Sequence, residues 1–219
     1  IPFAAIATVG DVMDLTDENR VIVREGLRRL QNPENEGLKA LIRVNNLENR
    51  EISAYHIGFI IGPCMNASGR LSTAKRALRL LLAEDPKEAA ALAEDLKSLN
   101  DSRKDMTAKG VEEAVEMVEH TDLKNDRVLV IYLPHCHESL AGIIAGRVRE
   151  RYVRPTFVLT KGEEGVKGSG RSIEAYHMFQ ELVKCKELLT KFGGHPMAAG
   201  LSLPEANVEA FRRKLNENC

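Results

Sequence analysis

The chain has 219 residues, with 43% hydrophobic and 29% charged residues, and 31 Lys and Arg nearly balance 32 Asp and Glu for a formal net charge of −1. That is the balance of a globular chain able to bury the core of one large domain or two small ones. It excludes attraction of a polyanion by whole-chain charge, so a nucleic-acid partner would require basic groups gathered locally.

The four cysteines (Cys64, Cys136, Cys185 and Cys219) form no CxxC pair, which fits a reducing cytoplasm better than a secreted scaffold. No apolar run reaches the length of a membrane span and no signal peptide is visible. "IPFAAIATVGDVMDL" (1–15) lacks an initiator Met and begins inside an apolar stretch. It reads as a buried strand or helix whose neighbours lie upstream, so the chain is expected to be part of a longer protein. Asp11 ends that stretch, a usual place for a metal-binding carboxylate in α/β enzymes; taken alone, it reads more readily as an ordinary strand-ending Asp.

Thr16 is placed to cap a helix whose apolar positions are Val23, Leu27 and Leu30. "GLKALIRV" and the very apolar "SAYHIGFII" read as short helices. "GPCMNASGR" (62–70) interrupts them with Gly, Pro and Asn; were it helical, Asn66 and Arg70 would share a face. "STAKRALRLLLAED" resumes as a helix with Ser72 as cap. From Pro86 to about Thr121 a single long helix is expected, about 50 Å long at 1.5 Å per residue, with Gly110 the place for any break near 105–110. Residues 1–85 should be mostly helical, without a self-sufficient core.

The period then changes. "RVLVIYLP" (127–134) and "PTFVLT" read as buried strands around the helix "ESLAGIIAGRVRERY". "GVKGSGRS" reads as a third strand before a helix over 174–185, and "GLSLP" as another strand before the terminal helix "EANVEAFRRKLNEN". Alternating strands and helices predict an α/β module over about 122–219.

Several stretches could carry chemistry. In "GSGRS" (168–172), Gly168 and Gly170 would let backbone approach a ligand, Ser172 would cap the following helix, and that helix N-terminus with the Arg171 fork would suit a phosphate. A strand-to-helix turn with a solvated Arg is the plain alternative. "KFGGHPMAAG" (191–200) sets two glycines before His195, a phosphate donor, an acid or a structural histidine. "HCHESLAGIIAG" (135–146) invites a zinc reading, but neighbouring strand side chains diverge and no second ligand pair follows, so His137 reads better as a ligand contact at a strand's carboxyl end.

Taken together, "HESLAGIIAGRVRERYVRPTFVLT", "GSGRS" and "FGGHPMAAGLSL", in that order, resemble the DHHA1 domain of the DHH phosphoesterases. "ATVGDVMDLTDENRVIVREGLRRL", "IGPCMNASGRL", "ALRLLLAED" and the long helix narrow the resemblance to the family's single-strand-specific 5′→3′ DNA exonucleases. The resemblance covers nearly the whole chain. It implies an α/β architecture: the end of a DHH domain with a helical connecting segment (1–85), a long linking helix (86–121), and a DHHA1-like mixed sheet with flanking helices that binds substrate (122–219). It implies Mn²⁺ or Mg²⁺ in the intact parent, single-stranded DNA as partner, and an N-terminal DHH domain that these residues do not include. Asp11 matches a family metal ligand. Asn66 and Arg70 match the connecting motif that approaches the active site, and His137, Ser169, Arg171, Gly193, Gly194 and His195 match the phosphate-holding motifs. The departure is equally clear: the Asp-His-His motif and the earlier Asp-rich motif are absent, so these residues by themselves are expected to be inactive. A nanoRNA or cyclic-dinucleotide phosphodiesterase of the same superfamily and a non-catalytic single-strand-binding module are the alternatives.

Overall fold

The computed structural model describes residues 1–218. The chain divides into two compact units, Ile1–Arg103 and Lys104–Cys219.

The first unit is all helical: α1 Pro2–Gly10, α2 Asp17–Leu30, α3 Glu36–Val44, α4 Ala54–His56, a π turn Ile57–Ile61, α5 Gly62–Leu71, α6 Lys75–Leu82 and the first half of α7, Pro86–His120. Residues 3–10 are therefore helical and not a strand. Pro2 sits in the first turn, where its missing N–H costs nothing, and alanines carry the helix on. A Cβ on Gly26 of α2 would lie 2.2 Å from the Ala5 Cβ, so the two helices touch nearly backbone to backbone.

The expected interruption at 62–70 is not a loop. The helical turns run from Ala54 to Leu71 without a gap, and the strain of "GPC" is absorbed by the π turn. A proline ring inside an α-helix collides with the carbonyl four residues back, and the wider turn, with Gly62 N–H bonded to Ile57 O, makes room for it. Thr73, rather than Ser72, supplies the side-chain acceptor at the start of α6, to Lys75 N–H at 3.4 Å.

Residues 1–85 share their core with the start of the long helix. Leu30, Leu38, Leu41, Ile57, Ile61 and Leu80 pack together with Ala89, Ala93 and Leu96 of α7. The start of α7 closes that core because its small alanines let the helix lie close. α7 itself runs unbroken for 35 residues. Gly110 does not break it, because α8 (Ala141–Tyr152) packs there: a Cβ at 110 would lie 2.5 Å from Ile144 Cδ1.

The second unit is a five-stranded mixed sheet with helices on both faces. Its strands are β1 Leu129–Tyr132, β2 Thr156–Gly162, β3 Gly165–Arg171, β4 Lys191–His195 and β5 Ala198–Leu203, in the order β1-β2-β3-β5-β4. β1 and β2 are parallel, with α8 between them in sequence, and the other pairs are antiparallel. One face packs Val130, Phe157, Leu159, Val166, Leu201 and Leu203 on α9 (Met178–Lys184) and α10 (Val208–Glu217). The opposite face packs Leu129, Ile131 and Val158 on α8 and the end of α7.

β4 is a strand that composition alone conceals, because "KFGGH" has one apolar side chain among exposed residues. Its partner β5 recruits it through a hairpin. Arg212 of α10 is ion-paired with Asp126 at 2.6 Å, and Asn216 bonds the backbone of Arg127 and Val128, so the last helix ties down the entry to β1.

Candidate functional site

The antiparallel register builds the site. On the α8 face, three cross-strand rows form: Thr156–Arg171–Ala198–His195, Val158–Ser169–Gly200–Gly193, and Thr160–Lys167–Ser202–Lys191. Successive rows are two residues apart along each strand, about 6.8 Å. Basic groups (Lys167, Arg171, Lys191, His195) stand at the two outer rows, and the middle row is small or hydroxylic. α8 covers β2 and β3 on this face. The β4 side stays open, with every residue of β4 and also Gly200 exposed. A cleft of about 390 Å³ lies there, lined by Ser139, Thr160, Lys167, Ser169, Lys191 and Ser202 among others.

Arg171 is held from two sides. Its Nη1 donates to Gly170 O at 2.8 Å, and a Cβ on Gly142 would come within 2.7 Å of Nη2. The "AGIIAG" glycine in the first turn of α8 thus exists to let the guanidinium lie against the helix. The expected helix N-terminus behind it is absent. α9 begins only at Met178 with His177 as N-cap, and Ser172 is buried, donating to Tyr176 O at 2.5 Å. Ser172 therefore closes a local turn and caps nothing. Gly168 and Gly170 also differ from expectation. They face the core, where added Cβ atoms would meet Leu159, Met178 and Phe157 at 2.4–2.7 Å. Ser169 and Arg171, which alternate with them, are the residues turned to the open face.

His195 is exposed at the end of β4, and its side chain has no hydrogen bond or ion pair among the described residues. The two glycines before it separate in role. Gly194 has φ +156°, and a Cβ there would lie 2.4 Å from Ala198 O, so the hairpin itself demands glycine. A Cβ on Gly193 would meet nothing within 4 Å. His137 sits in the turn after β1. Its Nδ1 accepts from Ser139 N–H at 3.3 Å and lies 2.8 Å from Ser139 Oγ, which orients the ring at the entry to α8. Cys136 between the histidines has its thiol pushed up by burial and by Glu113. Lys167 pairs with Glu138 across the cleft rim at 2.7 Å, and that hydrogen bond raises its pKa. Both partners are about half exposed, so the pair contributes little to stability and can open for a ligand.

In the first unit, Asn66 and Arg70 lie one turn apart on α5, both exposed, and share a face. Asp11 is the C-cap of α1 and is exposed. No group of three or more His, Cys, Asp and Glu that could hold a metal ion occurs among the described residues. The donor set around Asp11 thus does not fit a two-metal centre by itself, and no metal-based step is assigned to it.

Sequence reasoning missed Lys167 and Lys191. The signal was there: Lys167, Ser169 and Arg171 alternate with glycines at period two, which puts them on one strand face. It also missed a stacked pair on the first unit, Tyr55 and Phe59, with centroids 4.9 Å apart, planes at 26° and exposures of 61% and 69%.

Residues 125–219, which carry this sheet, match the family model of the DHHA1 domain. The resemblance extends beyond that domain. Over 219 residues and 99% of its length, the chain is 40% identical to the single-stranded-DNA-specific exonuclease RecJ of Bacillus subtilis (strain 168). Crystal structures of RecJ from Thermus thermophilus, one with Mg²⁺ and one with Mn²⁺, superpose with a TM-score of 0.88 at 32% identity over 99% of the chain. The chain spans 28% of the Bacillus protein's length and 33% and 32% of the two Thermus chains. No helix among the described residues is long and apolar enough to cross a membrane.

Proposed function

We propose that this chain is the phosphate-holding part of a metal-dependent 5′→3′ exonuclease acting on single-stranded DNA in repair and recombination, in a reducing cytoplasm. In this reading Ser169, Arg171, Gly193 and His195 hold backbone phosphate, with His137 at the entry of α8. Asn66 and Arg70 contact the strand from α5. Gly194 shapes the hairpin that presents His195. Mn²⁺ or Mg²⁺ would supply the attacking hydroxide and neutralise phosphate charge in the intact parent. Asp11 would contribute one ligand there, and the rest would come from a DHH domain outside these residues. The roles of the two glycine-rich stretches are then distinct: "GSGRS" offers alternate side chains from a strand, and "GGH" an open edge.

The observation that carries the reading is the register. It gathers residues 24 positions apart in sequence, Arg171 and His195, into one row beside open glycine backbone. Such a surface suits an extended, sequence-independent phosphodiester strand. Guanidinium and lysine groups meet phosphate, and nothing on the floor reads a base edge. The cationic margin also answers the net charge of −1, since attraction is local.

Arg171→Ala should weaken binding of two unrelated single-stranded oligonucleotides equally and lower the salt slope by roughly 0.7 per lost phosphate contact. Fluorescence titration at several salt concentrations measures this, and an unchanged slope would leave Arg171 as a packing residue on α8. His195→Ala should lower affinity while leaving Tm nearly intact, because its ring is exposed. Equal losses of affinity and Tm would make it structural.

A further inference from the structure

We infer that the cross-strand row nearest the β2–β3 turn, Thr160–Lys167–Ser202–Lys191, seats a second phosphate of the bound strand, two nucleotides along from the one at Arg171 and His195. The inference rests on the single-strand reading of the chain and deepens it by fixing how much of the strand the sheet takes.

The register sets these residues side by side: Thr160 opposite Lys167, Lys167 opposite Ser202, and Ser202 opposite Lys191. Neighbouring strands lie about 4.8 Å apart, so the two lysines flank Ser202 with their backbones roughly 10 Å from each other. An anion above Ser202 is within reach of both ammonium groups and of the serine hydroxyl. The cleft of about 390 Å³ lies over this row, with Glu138 and Ala141 on its other wall. The stem of Lys167 runs past Gly162, where a Cβ would come within 3.1 Å of its Cγ, so glycine there leaves the lysine its path.

The polar groups of the row lack protein partners or hold them weakly. Thr160 is fully buried and lines the cleft, and its hydroxyl has no hydrogen-bond partner. Valine would fill the same space without leaving a buried hydroxyl unsatisfied, which opposes folding. The partner comes from what enters the cleft, a ligand oxygen directly or a water that the ligand holds. The side chains of Ser202 and Lys191 make no hydrogen bond or ion pair among the described residues. Lys167 has Glu138 at 2.7 Å, and with side chains 50% and 47% exposed this pair is weak enough for an anion to displace. Two lysines against one glutamate leave the lining net positive in a chain whose net charge is −1. Ammonium groups flanking a hydroxyl suit a phosphate of any sequence.

The spacing says which phosphate. The Arg171–His195 row lies two steps of about 6.8 Å away, about 14 Å along the strands. Between them the row of Ser169, Gly200 and Gly193 carries no charge. The sugar–phosphate repeat of an extended single strand is close to one such step. Three successive phosphates therefore fall on the three rows, the outer two on cations and the middle one on Ser169 and open glycine backbone.

The test uses the whole 219-residue chain and two probes, the 5′-phosphorylated dinucleotide and hexanucleotide of thymidine, titrated at several salt concentrations. The dinucleotide cannot reach from the Arg171 row to the lysine row, and the hexanucleotide can. Lys191→Gln should weaken the hexanucleotide about fivefold to tenfold, lower its salt slope by roughly 0.7, and leave the dinucleotide within about twofold. Glu138→Gln should tighten the hexanucleotide about twofold to fivefold, because Lys167 loses its competitor. Thr160→Val should weaken the hexanucleotide at an unchanged or raised Tm. Equal weakening of both probes by Lys191→Gln would make the row a site for any short nucleotide, and an unchanged hexanucleotide would make Lys191 a solvated side chain; either result overturns the second seat. A lowered Tm with unchanged affinity in Thr160→Val would make that hydroxyl structural and count against it as well. Arg171→Ala, expected to weaken both probes, separates the two readings. If it alone acts, the Arg171 seat stands and the lysine row falls; if Lys191→Gln alone acts, the Arg171 seat falls. No binding of either probe by the unsubstituted chain at low salt would overturn both.

Discussion

Residues 1–219, purified and supplied with excess Mn²⁺ and 5′-phosphorylated single-stranded DNA, should release no mononucleotide. The reason is a shortage of ligands. Mn²⁺ and Mg²⁺ each need about six hard donors, and the protein must fix several of them before an attacking hydroxide can be aligned. Asp11 stands exposed at the end of α1, and Asp14 and Asp17 near it are exposed as well. Asp17 opens α2, where a carboxylate serves the helix N-terminus. No cluster of three His, Cys, Asp or Glu able to hold a metal forms among the described residues. An ion met by one carboxylate stays largely hydrated and is loosely held. The effect is all or nothing on the scale of enzymatic acceleration, at least about 10⁶-fold. Adding a polypeptide that carries the Asp-His-His motif is the arm expected to restore release. Mononucleotide formation by the chain alone, proportional to its concentration and absent from Asp11→Ala, would overturn the incomplete-site reading.

Alanine at the two adjacent glycines of β4 should give opposite results. Gly194→Ala must adopt φ +156° and push its Cβ to 2.4 Å from a backbone oxygen and 2.6 Å from Ala199 Cα, neither of which can yield without moving the hairpin. A loss of about 2–3 kcal/mol follows, seen as a Tm lower by roughly 4–10 °C. Gly193→Ala meets nothing within 4 Å and should leave Tm unchanged within error. Its effect should fall on binding instead. A methyl group on an open sheet floor keeps a phosphate from approaching the backbone, and a loss on the order of tenfold, about 1.4 kcal/mol, is expected. Differential scanning calorimetry and oligonucleotide titration of both variants check this. Wild-type affinity in Gly193→Ala would mean that the middle row is not in contact with the strand.

Much of the architecture was legible because it depends on local pattern. The 35-residue helix could be read from its uninterrupted run of helix formers, and β1 and β2 from their β-branched apolar runs. The points left open or missed share a cause. The first ten residues are apolar enough for either period, and only contact with Gly26 of α2 makes a helix of them. "GPCMNASGR" contains three loop-favouring residue types, yet a π turn accommodates the proline and the helix continues. Gly110 was the one place left open for a break in the expected single helix, and the helix runs through it with Ile144 filling the space beside it. β4 has almost no intrinsic strand signal and exists because β5 pairs with it.

By itself the sequence determined the residue types of the candidate site and their order along the chain: Asn66 and Arg70, His137, Ser169 and Arg171, Gly193, Gly194 and His195. It also determined the α/β succession, since hydrophobic periodicity is written residue by residue. Tertiary structure alone decided which of these residues meet. Strand register is a long-range property, and a one-residue slip would turn Ser169 and Arg171 into the core and Gly168 and Gly170 outward. The same holds for glycine: whether a missing Cβ serves a turn, a packed neighbour or a ligand depends on what lies opposite. At Gly194 that is the hairpin's own backbone, at Gly142 it is the Arg171 guanidinium, and at Gly193 it is open space.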